Sequence, residues 1–193
     1  MVGTRQFDED EMLAGALEVF WRKGFTGTSM IDLAEATGIQ RGSLYNAYGD
    51  KEQLFLLAFD RYTQRFLESA EQALSASDAR TALNAFFETA IANMTSGSPP
   101  RGCLTTKTAL DLDTAGPAIE ARVKRLIGDL TALLTAALSH ADAKAELTVA
   151  PDAAADLIVT FTRGLAVMER VHHNRKRLKQ TAAQLVQVLF RPA

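Results

Sequence analysis

Apolar residues recur in this chain at three- and four-residue intervals almost from end to end, and nowhere do they alternate as a half-buried strand requires. No Asn-Gly or Asp-Gly pair marks a hairpin turn. The punctuation is helical too. Leu13, Ala16, Leu17 and Phe20 form one apolar face, with the acids Asp8 to Glu11 at its positive N-terminal end and Gly24 as its stop. Ser29 with Asp32 three residues on reads as a capping box for a short second helix that ends at Gly38. A third runs from near Gln40 to Gly49. Asp50, with Gln53 behind it, caps a long fourth helix that carries Leu54, Leu57, Ala58, Tyr62, Phe66, Ala70 and Leu74. Further helices are expected over 79–95, over 104–112, from Pro117 to Leu138, from Pro151 onward and over 175–189, with 139–150 as a polar loop. The expectation is an all-α fold of about nine helices.

Composition narrows what such a fold can do. The 193 residues are 47% hydrophobic and 23% charged, which is globular, and a net charge of −2 argues against coating nucleic acid or membranes by bulk charge. The single cysteine, Cys103, excludes an internal disulfide and a cysteine-based zinc site. Arg101 and Lys107 lie near it in sequence, as a thiol sensor would need, but a small buried cysteine is the plainer reading. His172 and His173 are adjacent on a helical pattern and so diverge, which disfavours a metal site. The start of the chain turns acidic where a signal peptide needs an apolar core. The most apolar later stretch, 157–171, is interrupted by Arg163. A cytoplasmic protein with no membrane partner and no cofactor is expected.

Residues 29–48 concentrate the chemistry. Two short helices meet at Gly38, which permits the left-handed turn, and Ala34 is small enough for them to cross closely. Leu33, Ile39 and Leu44 point inward. That leaves Gln40, Arg41, Ser43 and Asn46 outside, with the hydrogen-bonding groups that meet base edges and phosphates. On spacing alone an ordinary helical hairpin remains the alternative to a helix-turn-helix.

The order of motifs around this segment is more specific. Gly24-Phe25-Thr26-Gly27-Thr28-Ser29, Ile31-Asp32-Leu33-Ala34, Gly38 through Tyr48 and Asp50-Lys51-Glu52-Gln53-Leu54 together resemble the N-terminal domain of the TetR family of transcriptional regulators. The resemblance covers about residues 8–60; Tyr48 and Gly49-Asp50 depart mildly from the usual pattern. It implies a three-helix DNA-binding domain over 1–50 and a helical effector-binding and dimerisation domain over 51–193. It further implies phosphate contacts by Tyr45 and Lys51, joined by hydroxyl or backbone donors at Thr28 and Ser29. Arg41 is the residue expected to read guanine, with Asn46 suited to adenine. Residues 1–51 hold eight acids and five bases, so affinity must come from focused contacts and from dimerisation.

A single short reading helix cannot define one genomic site; a two-fold dimer presents two, about 34–36 Å apart or a multiple of that. The resemblance places the dimer interface on the last two helices. Leu157, Phe161, Gly164, Leu165 and Met168 are its expected residues on one, and Leu178, Ala182, Leu185 and Leu189 on the other. It places a small-molecule effector in the middle of the chain, with Phe66, Phe86, Phe87, Met94, Leu104, Thr105, Thr108, Leu126 and Leu130 as the expected lining. For any single one of these lining residues plain core is the readier reading, and some of the interface residues must serve the intrachain core. The function implied is a homodimeric repressor on a palindromic operator, released by an effector; an activator or a helical interaction module without a ligand is the alternative. No HExxH, GxSxG or phosphate-loop motif supports an enzyme, and no catalytic residue is assigned.

Overall fold

A computed structural model of the chain describes residues 8–192, with only the backbone of Ala141 and Asp142. Its helices are α1 (Glu9–Lys23), α2 (Met30–Thr37), α3 (Arg41–Tyr48), α4 (Lys51–Leu74), α5 (Ala79–Thr95), α6 (Leu104–Leu110), α7 (Leu112–Ala115), α8 (Pro117–Leu138), α9 (Ala141–Glu146), α10 (Pro151–His172) and α11 (Arg175–Leu189). Among the described residues the only extended pairing is one antiparallel bridge between Leu147 and Phe190.

Local chemistry explains the boundaries. Asp8 accepts from the amides of Asp10 and Glu11 to start α1, and the Gly24 amide closes it on the Phe20 carbonyl. Ser29 and Asp32 form a full capping box. The carboxylates of Asp50 and Asp78 accept from Gln53 and Thr81, opening α4 and α5. Pro117 and Pro151 occupy the first turns of α8 and α10, where a missing amide costs nothing.

Two segments differ from the periodicity reading. The helix expected over 104–112 breaks at Asp111 into α6 and α7. The expected loop over 139–150 contains α9, because Ala143 and Leu147, four residues apart, bury their side chains.

Packing gives two cores. The first gathers α1, α2 and α3 around Phe20, Leu33 and Leu44 and draws in Phe55, Phe59 and Tyr62 of α4, together with Leu104, Ile119, Val123 and Leu126. The second joins the far end of α4 to α5, α8, α10 and α11 around Phe86, Phe87, Leu130, Leu134 and Ile158. Phe66, Leu67 and Ile127 touch both. Hence α4 is a shared beam, and the expected division at residue 50 falls before residues on which the first core depends. Residues 1–7 and 193 of the two expected units lie outside the described residues.

Candidate nucleic-acid interface

The geometry of α2 and α3 is set from inside. Leu33 and Leu44 are fully buried, Ile39 and Tyr48 nearly so, and Gly38 between them takes φ 68° and ψ 11°. That left-handed turn is cheap only for glycine, or at some cost for asparagine. It aims α3 so that Gln40, Arg41, Ser43, Tyr45 and Asn46 are all exposed. The Arg41 guanidinium lies 5.9 Å from the centre of the Tyr45 ring, which holds the two on one face. Gln40 caps α3 without using its side chain, so the amide is available to a partner.

Three expected contact residues carry structural duties. Thr28 is 3% exposed and its hydroxyl donates to the Gly24 carbonyl at 2.6 Å. It shapes the turn after α1 and does not face outward, which corrects the expectation. Ser29 is exposed, but its hydroxyl donates to Asp32 at 2.8 Å and accepts from the Asp32 amide. Lys51 donates to the Phe25 carbonyl at 2.9 Å and lies 4.4 Å from the centre of that ring. Partial burial pulls its ammonium pKa below the usual value. An ammonium has three donors, so Lys51 pins the turn and keeps hydrogens for a phosphate.

Asp32 is the electrostatic hinge of α2. Lys23 and the Ser29 amide and hydroxyl hold its carboxyl at about 2, down from the ordinary 3.8. A depressed carboxyl pKa contributes stability above its unfolded value and loses that contribution as pH falls through the folded one. We therefore expect the Asp32 carboxyl resonance to titrate with a midpoint near 2. Lys23→Ala should move it upward, and an ordinary midpoint in the parent protein would mean the Lys23–Asp32 pair is not formed in solution.

The other expected sites divide by burial. Phe86, Met94, Leu104, Thr105, Thr108, Leu126 and Leu130 are each 4% exposed or less and packed inside the cores. Thr108 donates to Leu104, and Thr105 lies 3.5 Å from the Tyr62 hydroxyl. Phe87, 2% exposed, belongs with them although it borders a surface groove against α11, whereas half-buried Phe66 lines a cleft between α1, α4 and α5. Apolar periodicity marks core and pocket lining alike, so it could not separate them. On α10 and α11, Leu165, Leu178, Ala182 and Leu189 turn into their own core, contrary to the expected interface, and Phe161 and Leu185 are partly buried. Leu157, Gly164 and Met168 face out, as do the apolar Val167, Val171 and Val188. Half-buried Cys103 accepts a contact from the Arg163 guanidinium at 3.5 Å. Among the described residues no helix is long and apolar enough to cross a membrane, and no group of three or more His, Cys, Asp or Glu could hold a metal.

Comparison with known proteins agrees with this architecture. The chain is 41% identical over 100 residues to the HTH-type transcriptional repressor ComR of Escherichia coli (strain K12), a match covering 50% of this chain and 47% of ComR. The chain thus spans about half the length of that curated relative. It is 23% identical over 178 residues to the HTH-type transcriptional repressor DhaR of Mycobacterium sp. (strain GP1), covering 90% of this chain and 87% of DhaR. Among solved structures, a cysteine mutant of the TetR family transcriptional regulator CifR complexed with 26-bp operator DNA superposes with a TM-score of 0.85. Its identity is 29%, covering 95% of this chain and 98% of that one. The family described as "Bacterial regulatory proteins, tetR family" matches residues 12–58, where the reading head lies. The family "Tetracyclin repressor-like, C-terminal domain" matches residues 79–185, more than half the chain. With its head and its helical body each matched in the expected order, this chain belongs to the TetR family.

Proposed function

We propose that the protein is a transcriptional repressor that binds a palindromic operator in the cytoplasm as a homodimer and releases it when a small molecule binds. The observation that carries this reading is the exposed polar face of α3, held rigid by buried Leu44 and Tyr48 beneath it. The fold shared with CifR, whose structure contains operator DNA, supports it. In this reading the head is residues 1–50 and the effector-binding and dimerisation body is 51–193, with α4 transmitting between them. Arg41 reads a base edge, Asn46, Ser43 and Gln40 assist, and Tyr45 and Lys51 bind phosphates. Ser29 places the start of α2 beside the DNA backbone. No catalytic role is assigned to any residue.

Selection of bound fragments from a random DNA pool tests the proposal, and a recovered palindrome then serves for affinity measurements. Arg41→Ala should weaken the preferred site by about 1–3 kcal/mol per half-site while binding to unrelated DNA changes little. Tyr45→Phe combined with Lys51→Ala should weaken every sequence alike and reduce the salt slope. Equal loss on all sequences for Arg41→Ala would end its base-reading role. No enrichment of any site would end the proposal.

A further inference from the structure

A cleft of about 410 Å³ lies where the head meets the body, between α1, α4, α5 and the loop that carries Arg101. Its wall is aromatic. Trp21 meets Tyr62 edge to face at 5.3 Å, and Tyr62 stacks on Phe66 at 6.1 Å. Its rim is cationic, with Arg65 of α4 and Arg101 of the loop against one acid, Glu18 of α1. The Arg101 guanidinium stands 5.1 Å from the centre of the Trp21 ring and binds the Glu18 carboxylate at 2.7 Å.

Two observations point to a ligand. Trp21 is 5% exposed, and its indole N–H is buried with no acceptor, an uncommon condition for a donor that usually finds a partner. The rim already holds one carboxylate, that of Glu18, through a single charge-assisted contact to Arg101 at 2.7 Å. We propose that the cleft binds an aromatic carboxylic acid: its ring packs against Trp21 and Phe66, and its carboxylate takes Arg101 from Glu18 with Arg65 beside it. The volume falls within the range of small-molecule sites.

The exchange has a mechanical result. Glu18 and Trp21 belong to α1, the scaffold of the head, whereas Arg101 belongs to the body. Losing the Glu18–Arg101 pair frees one tie across the junction; among those that remain are the Arg61–Asp10 pair, the Lys107 bond to the Trp21 carbonyl and the Thr26–Thr114 hydroxyl contact. The acid thereby loosens the head against the body, and operator affinity is expected to fall. This regulatory half rests on the proposed DNA-binding function; the binding half does not.

Trp21 is the only tryptophan, so its fluorescence reports the cleft directly. The full-length protein is titrated with phenylalkanoates from phenylacetate to 6-phenylhexanoate and with 4-phenylbutanamide as the uncharged control. A saturable change is expected with at least one acid, and the amide should bind at least about tenfold more weakly than 4-phenylbutanoate. Arg101→Gln should weaken the acid by about tenfold or more, Arg65→Gln by less, and Glu18→Gln should tighten it by removing the competing carboxylate. A purely structural Glu18–Arg101 pair would not give opposite effects from its two halves. Circular dichroism identifies any variant that fails to fold, and Glu18→Gln then carries the test alone. No saturable change with any acid, or equal binding of amide and acid, would overturn the site, even if the protein binds DNA. Saturable binding that leaves operator affinity unchanged would overturn the regulatory half. Failure to bind any DNA would instead count against the proposed function, with the fluorescence result standing by itself.

Discussion

Met168→Asp combined with Val171→Asp is expected to convert the protein to monomers in sedimentation and to reduce operator affinity by roughly a hundredfold or more. The two side chains are 50% and 63% exposed on α10, which also exposes Leu157 and Val167, and Val188 on α11 is 71% exposed. On α10, an added Cβ at Gly164 would meet nothing within 4 Å, so the backbone there is open to close approach. Covering a large aliphatic side chain is worth about 1.5–3 kcal/mol, and a two-fold contact uses each residue twice. The same symmetry would put four carboxylates into one interface, each needing to be desolvated or to keep the helices apart. Melting temperature at low protein concentration should change little, because neither residue contributes to the intrachain core. An intact dimer would move the interface elsewhere. Leu165→Ala, one turn away on the inward face, should do the opposite, costing stability while the folded fraction still associates.

Leu44→Ala is expected to destabilise the head by about 2–5 kcal/mol, the range for removing a fully buried leucine without collapse of its site. Leu44 is 0% exposed and lies in the first core with Leu33, Ile39 and Tyr48, so the cavity would open directly beneath the reading face. Urea denaturation followed by circular dichroism measures the loss. Ser43→Ala, at the exposed neighbouring position, should stay within about 0.5 kcal/mol. Leu44→Met, which nearly conserves volume, should cost less than about 1.5 kcal/mol and recover DNA binding. A Leu44→Ala protein as stable as the parent would mean the head tolerates a void there, and that α3 is held by something other than this side chain.

Most helix boundaries were legible because they rest on local chemistry; the break at Asp111 and the short α9 were not. Asp8, Ser29, Asp50 and Asp78 cap the helices they precede, and Gly24, Gly38, Pro117 and Pro151 punctuate as their backbones require. The exposed polar face of α3 was legible for the same reason, since an eight-residue helix with Leu44 and Tyr48 inside leaves few ways to orient the rest. What failed was decided by partners distant in sequence. Thr28 looked like an outward hydroxyl, but the Gly24 carbonyl takes it once the turn closes. Helix α10 is apolar on two faces, and spacing alone cannot say whether Leu165 or Met168 meets the body. The cleft at the junction was invisible for a related reason. Its walls come from α1, α4, α5 and the 97–102 loop, brought together only by the tertiary fold.

The shared beam also bears on how such proteins diversify. A head cut out at residue 50 would leave behind Phe55, Phe59 and Tyr62, stripping Phe20, Phe25 and Trp21 of the rings they pack against. It would equally lose Leu104, Ile119, Val123 and Leu126, which lie far along the chain. Wholesale exchange of heads between relatives is therefore a poor route to a new operator, since each graft must re-form an aromatic seam with a foreign body. Substitution at Gln40, Arg41, Ser43 and Asn46 disturbs none of that packing. On the proposed reading, a change of DNA preference in this protein needs only such exposed substitutions and leaves the seam beneath them intact.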